Sequence, residues 1–461
     1  MKLPLHTASS FALVSLLLVS CASAPPSADP QKALAPLTPE RWSQPTEAEP
    51  SRHWIDDFQD ERLGQLIEEA FQNNFGLESA RELVNASAAA ARIRNAARLP
   101  SLGVGLQSSD GKSIASFDPL TSIESERHAL SLNARWEIDL WNRLGNRYQA
   151  SRVEYEASRY EFEAFKLSLA GQIAKAWFDA IELKQQLQLA RATAQSYQSN
   201  LNSLENRYRR GLVDAFDLRL TRAQTAGARA SATSRLNQAD TALRFLETLL
   251  GRYPSAELET TADLPELSVT PGASIPAQTL SQRPDLLAQQ LRVEAALKLA
   301  QAAERNWLPN IALTASDGTL SNDFSQLLDS DFSVWSIVGE ASAALFQSGA
   351  LKAERQQLNA SQLSQLSQYK ETALQAFREV ETALRAERDL KDLQRETETL
   401  AAESGKAEDQ AWSLYERGLI DISAALDAQR RSFEAQSQLI SIRNRRLQNR
   451  IDLHLALGGD F

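Results

Sequence analysis

The chain has 461 residues, with 49 basic and 59 acidic side chains and a formal charge of −10. That balance excludes a nucleic-acid surface built on net positive charge. The four histidines, His6, His53, His128 and His454, are scattered, and Met1 and Cys21 are the only sulfur residues. This leaves no metal-ligand spacing and no thioether relay for Cu(I) or Ag(I), so no metal and no cofactor is expected. Nor does any Gly-rich phosphate loop or His–carboxylate–nucleophile cluster point to an enzyme.

Residues 1–20 read as a targeting segment. Lys2 supplies the positive start, and the apolar run Phe11–Ser20 is too short to span a bilayer. The run ends in Leu18-Val19-Ser20-Cys21, which resembles a bacterial lipoprotein signal. A lone cysteine is often just a small buried apolar residue. The position of Cys21 at the end of the run points instead to acylation. Ala22 follows where Asp would favour inner-membrane retention, so the resemblance implies the outer membrane, facing the periplasm. Loss of Lys2 with the signal leaves a mature charge of −11. Residues 21–59 carry seven prolines between Pro25 and Pro50 and read as an extended tether that cannot form a helix.

From Asp60 to Ala97 apolar residues such as Leu63, Leu66, Ile67 and Ala70 recur at helical spacing, until Leu99-Pro100 closes the helix. Leu102, Val104 and Leu106 then alternate with Gly103, Gly105 and Gln107. The polar stretch Ser108–Arg127 reads as a loop. A longer strand follows, with Leu130, Leu132, Ala134, Trp136, Ile138 and Leu140 on one face. Asn133, Arg135, Glu137 and Asp139 lie on the other. A soluble antiparallel strand can alternate in this way. Eleven residues with Trp136 on one face and three charges on the other fit a barrel strand, lipid outside and water inside. Arg135, Glu137 and Asp139 would then line the lumen.

Gln172–Arg210 has no Gly or Pro, and Ile173, Ala176, Ala180, Leu183, Leu187, Ala190, Ala194, Tyr197, Leu201, Leu204 and Tyr208 alternate spacings of three and four. That seam demands a partner helix. Counted back to Asn146, the helix is on the order of 90 Å long. Gly211 breaks it, and a second helix from about Asp217 to Leu250 completes an antiparallel hairpin.

Then the scheme restarts. Tyr208-Arg209-Arg210-Gly211-Leu212-Val213-Asp214 returns as Tyr415-Glu416-Arg417-Gly418-Leu419-Ile420-Asp421, 207 residues on. Leu99-Pro100 returns as Leu308-Pro309, 209 residues on. The chain therefore divides into a first repeat over 60–250, a Pro-rich linker over 251–281 and a second repeat over 282–461. Pro284 opens a helix, Ile311, Leu313 and Ala315 alternate, and Trp335, Ile337, Gly339, Ala341 and Ala343 alternate again. A long helix spans about Leu351–Arg417, and a last one ends near Leu457. Its seam is poorer, with Glu387, Gln394 and Glu408 where the first repeat has Ala180, Leu187 and Leu201.

Four strands cannot close a barrel, and lipid tolerates no open edge, so if these strands lie in a membrane several chains must pool them. The ordered set of motifs resembles the outer membrane factor family, the TolC type, in its NodT-like lipoprotein branch. It comprises Trp54-Ile55-Asp56-Asp57-Phe58-Gln59-Asp60 with Leu63, then Asn74, Leu77 and Ala80, Trp136-Glu137-Ile138-Asp139-Leu140-Trp141, Arg283-Pro284-Asp285-Leu286, Leu345-Phe346-Gln347-Ser348-Gly349 and the two hairpin tips. The resemblance implies a homotrimer that is mainly α with β. Its twelve-stranded outer-membrane barrel would be continuous with a periplasmic α-helical coiled-coil barrel. It implies an exit duct for a tripartite efflux system, with an inner-membrane pump and a periplasmic adaptor as partners, or for type I secretion. Adaptor docking would fall on Tyr208, Gly211, Leu212, Tyr415, Gly418 and Leu419, and the gate on Asp217 and Asp427. A further acidic position of the family is Ala424 here. The local alternatives are that the glycines simply end helices and that Asp217 is a helix cap. A rival reading, a lipid-tethered coiled-coil scaffold, explains Cys21 and the heptads but not the strands or the repeat.

Overall fold

The computed structural model describes residues 29–44, 54–115, 121–261, 263–267 and 276–459. Cys21 and the signal segment lie outside them. The chain forms two compact units, one of residues 1–34, 83–159 and 288–370, the other of 35–82, 160–287 and 371–461. Among the described residues no helix is long and apolar enough to cross a membrane.

The first unit is organised by one antiparallel sheet in the order β1-β2-β3-β4. The strands are β1 (Ser101–Ala115), β2 (Thr121–Ile138), β3 (Asn310–Ser321) and β4 (Ser333–Ser342). The register sets Val104 beside Leu132, Ala134 beside Ala315, and Ala315 beside Ile337, so one face is mainly apolar, with Asp317 between Leu132 and Trp335 as its exception. Arg135, Asn133, Thr314 and Glu340 share the other face. The stretch Ser108–Arg127 is a correction. Its flanks pair residue for residue, from Ser108 with His128 to Ala115 with Thr121, so both strands run far past the apolar segment. Polar residues on both faces hid this, because a strand wetted on both sides has no apolar alternation.

Asp139 is a second correction. β2 ends at Ile138, and Asp139 turns to accept from the backbone N–H groups of Leu144 (3.1 Å) and Gly145 (2.6 Å). It therefore serves the start of α4 (Arg143–Arg209), favoured there by the helix dipole. Glu137 is bound by Arg143, which leaves Arg135 as the exposed charge of the three. Indole groups fix the helix end of the sheet. Trp136 Nε1 donates to the Arg98 carbonyl (2.9 Å) and Trp141 Nε1 to that of Pro309 (2.7 Å). Such aromatic residues suit a membrane–water boundary.

The tether reading needs two changes. Pro30 opens a short helix, α1 (Pro30–Leu34), where a first turn tolerates it. Trp54–Phe58 is a 3-10 turn whose Trp54 and Phe58 are fully buried in the main core of the second unit. Trp42 also packs, edge-on to Phe377. Next, the expected single helix over Asp60–Ala97 is two: α2 (Glu61–Asn73) and α3 (Phe75–Ala96). Asn74 breaks it. Its Oδ1 accepts from Leu77 N (3.0 Å) and its Nδ2 donates to the Leu249 carbonyl (2.8 Å).

Around that core run α4, α5 (Ala215–Leu249), α8 (Ala350–Glu416) and α9 (Ile422–Leu457), after α6 (Pro276–Gln282) and α7 (Pro284–Ala303). α4 and α8 have 67 residues each, about 100 Å of helix. Arg283 ties the start of α7 to its surroundings through Asp285 (2.7 Å), Glu379 (2.7 Å) and the Ala456 carbonyl (3.2 Å). The beginning and end of the folded body meet as well. The His454 ring lies 6.0 Å from Trp54, its Nε2 is 2.8 Å from Asp57, and Gly459 sits against the indole.

The polar seam of the second repeat now has a physical account. Glu387 is buried and accepts from Arg450, also buried, at 2.6 Å, with Arg446 at 3.7 Å. Gln394 accepts from Arg446 (2.7 Å). The seam residues that look wrong in α8 are the halves of pairs completed by α9.

A candidate docking and gating site at the hairpin tips

Both long hairpins turn in the same way. Gly211 has φ +72° and Gly418 φ +73°, conformations that L side chains rarely adopt. Leu212 N donates to the Arg207 carbonyl (3.0 Å) and Gly211 N to that of Tyr208 (2.9 Å). Leu419 N and Gly418 N do the same to Leu414 (3.0 Å) and Tyr415 (2.9 Å). This paired pattern is a Schellman closure, which satisfies the last carbonyls of α4 and α8. The leucine after each glycine usually folds back on its helix. Here Leu212 is 62% exposed and Leu419 65% exposed, so both point away from the hairpins.

The tips rest on a shared core. Tyr197 and Leu204 of α4 cluster with Tyr415, Ile422, Ala425 and Leu426 of the second hairpin. The two tyrosines of the repeated motif therefore part company. Tyr415 is buried in this cluster under the Arg207 guanidinium, 5.0 Å from its ring, whereas Tyr208 is exposed. Of the six expected docking residues, Tyr415 is thus a support and the other five lie at the exposed turns.

The acidic residues are also reassigned. The residue that caps α5 is Asp214, whose Oδ1 accepts from Asp217 N (2.8 Å). This overturns the capping reading of Asp217. Burial, then the nearby carboxylates of Asp214 and Asp421, push the Asp217 carboxyl above its ordinary range. Asp421 stands at the start of α9 without a side-chain capping bond. The sequence signal for both was present, since the repeated motif ends on Asp214 and Asp421, but its chemistry looked like turn-making alone.

Asp427 lies nearly two turns further along α9. Its carboxylate takes Arg430 Nη2 (2.7 Å) and Arg431 Nε (2.8 Å), and Arg430 also reaches Glu434 (2.6 Å). The hydrogen bond from Arg430, seconded by Arg431, holds Asp427 below the ordinary carboxylate range. A ring of like charges alone predicts the opposite direction. The two arginines three and four residues on are the local cause. The candidate gate residues are thus unlike: Asp217 is crowded by negative charge and Asp427 is matched by positive charge.

Comparison with known proteins bears on the whole chain. The model of the family described as outer membrane efflux protein matches residues 66–252 and again 275–459. The pyoverdine export outer membrane protein OpmQ of Pseudomonas putida is 31% identical, over 97% of this chain and 96% of its own length. The cation efflux system protein CusC of Escherichia coli K12 is 27% identical, over 97% and 98%. A solved structure of CusC superposes with a TM-score of 0.81 at 26% identity, covering 95% of this chain and 100% of that one.

Proposed function

Because the chain belongs to the outer membrane efflux protein family, we propose that it forms a homotrimeric exit duct loaded at its hairpin tips by a periplasmic adaptor and an inner-membrane pump. Channels of this family are trimeric and lie in the outer membrane, extending into the periplasm. Three sheets of four strands make a closed barrel of twelve, which removes the free edges of β1 and β4. Transport through it is passive. Acylation of Cys21 adds a second anchor to the barrel, since one chain alone binds membranes weakly.

The observation that carries the docking role is the outward pair Leu212 and Leu419 on turns of identical geometry. Leu212→Asp with Leu419→Asp is expected to abolish cross-linking to the adaptor in cells while the heat-resistant trimer persists. Undiminished cross-linking would remove the tips from the docking surface.

Around the trimer axis, Asp217 and Asp427 would form acidic rings that favour cations and retard anions. Their opposed environments separate them. As pH falls, Asp217 is neutralised first and Asp427 later. Cation selectivity in planar bilayers is expected to fall in two stages, with Asp217→Asn deleting the stage at higher pH. A profile unchanged in that variant would sink its gate role. Pyoverdine and cations, named for two relatives, differ widely, so the pump rather than the duct selects cargo. Met1 being the lone methionine, small organic solutes suit this duct better than soft metal ions passed between thioethers.

A further inference from the structure

We infer that the segment joining β3 to β4, residues 322–332, is a membrane collar that lies on the outer face of the barrel and seats Phe324 and Leu328 in the outer leaflet. The register decides the face. His128 and Ser321 pair with each other two residues beyond Leu130 and Thr319, so they share the outward face with Leu132 and Trp335. Both are buried, while their inward-facing neighbours Arg127 and Leu320 are exposed. The connecting segment lies over them, while the His128 ring nitrogens are held by the strand residues Ser108 (2.9 Å) and Glu126 (3.0 Å). The Phe324 ring stands edge-on to the His128 ring at 5.5 Å, Ser321 Oγ donates to Gln326 Oε1 (2.7 Å), and Thr319 Oγ1 donates to the Leu327 carbonyl.

The segment is shaped to stay there. Asp323 and Asp329 each open a 3-10 turn by accepting from Ser325 N (2.9 Å) and Asp331 N (3.0 Å). Leu327 turns inward and is buried, whereas Phe324 is 58% and Leu328 88% exposed.

Lipid is the occupant because this surface continues an established one. On β2 the outward apolar run from Ile138 to Leu130 covers about 20 Å of height at a strand tilt near 40°. A barrel band is about 25 Å tall. The next outward residue is His128, a step of about 5 Å, and Phe324 covers it. On β3 the strand's own apolar run is shorter, ending at Ala315 before Asp317, and the segment lies over this half of the sheet.

The test uses the full chain, with an environment-sensitive fluorophore on Leu328→Cys, Phe324→Cys and the inward control Leu320→Cys. The trimers are placed in phosphatidylethanolamine–phosphatidylglycerol vesicles containing doxyl-labelled lipid. Leu328 carries the decision, since its exposure lets a label sit without repacking. Lipid quenching at Leu328 and Phe324 is expected to exceed that at Leu320 at least twofold, with weaker quenching by aqueous iodide. Full iodide quenching without lipid quenching, as for a segment reaching into water or toward a surface protein, overturns the inference. So does stronger lipid quenching at Leu320.

Discussion

The two hairpins descend from one pattern, and they keep their tips and change their seams. Gly211 and Gly418 close their turns with the same hydrogen bonds at the same left-handed φ. Along the shafts the likeness ends. Where the first repeat buries Ala180, Leu187 and Leu201, the second places Glu387, Gln394 and Glu408. Apolar seams tolerate small slips, because one leucine replaces another at similar cost. A buried charge pair does not, because every other register leaves a charge alone in a poorly solvated place. The difference shows that tip geometry is the common requirement of both copies, while the fit along the shaft is specified more strictly in the second.

The largest effect should come from breaking the buried pair. Glu387→Ala takes away the buried carboxylate that Arg450 reaches at 2.6 Å and is expected to cost about 3–5 kcal/mol in thermal unfolding of the detergent-solubilised trimer. Glu387→Leu with Arg450→Leu should restore most of that loss, since a well-packed apolar pair replaces such an ion pair at little cost. If the double variant is no better than the single, the pair is not what specifies the seam.

The tips should respond alike. Around Gly211 and Gly418 nothing lies within 4 Å of an added Cβ, so only backbone strain opposes alanine. Gly211→Ala and Gly418→Ala should each cost about 1–2 kcal/mol, read by hydrogen exchange at the flanking amides. Unequal costs would show that the tips are less equivalent than their geometry.

The caps should respond unequally. Asp214→Ala removes a made hydrogen bond and is expected to cost about 1 kcal/mol. Asp421→Ala should cost only a few tenths of a kcal/mol, because no side-chain cap is formed there.

The smallest effect is in pH dependence. Asp217 is pushed up, so the folded tip holds its proton more tightly than the unfolded chain does. Stability at that tip is therefore present at low pH and falls as pH rises through its raised pKa. Asp427 is held down, so its contribution is present above the ordinary Asp range and is lost as pH falls through its lowered pKa. Asp217→Asn should flatten the first trend and Asp427→Asn the second, each read by amide protection at its own tip against pH.

Much of this was legible in the sequence because periodicity reports burial. The unbroken run from Ile173 to Leu204 marks the first hairpin, and alternation from Leu130 to Ile138 marks the outward face of β2. What stayed hidden depends on partners far along the chain. Glu387 looks misplaced until Arg450 is set beside it, and Asn74 looks helical until the Leu249 carbonyl claims its amide. The upper strands escaped notice because water on both sides erases the pattern. At the tips, Asp217 and Asp214 are three residues apart, and only hydrogen-bond geometry tells the cap from the crowded carboxylate. Equal spelling likewise concealed the different fates of Tyr208 and Tyr415.

The meeting of Trp54 with His454 and Gly459 has a consequence for engineering. Residues at the two ends of the folded body touch, so the periplasmic body is a closed circuit in which the starting point is arbitrary. A short bridge from Gly459 to Trp54, with the chain reopened between the repeats, would interchange the order of the two copies while leaving the helices from α2 to α9 in place, at the cost of detaching α1 and Trp42. Such a permuted chain should still assemble, and its new leading end would offer another place from which to hang a lipid anchor.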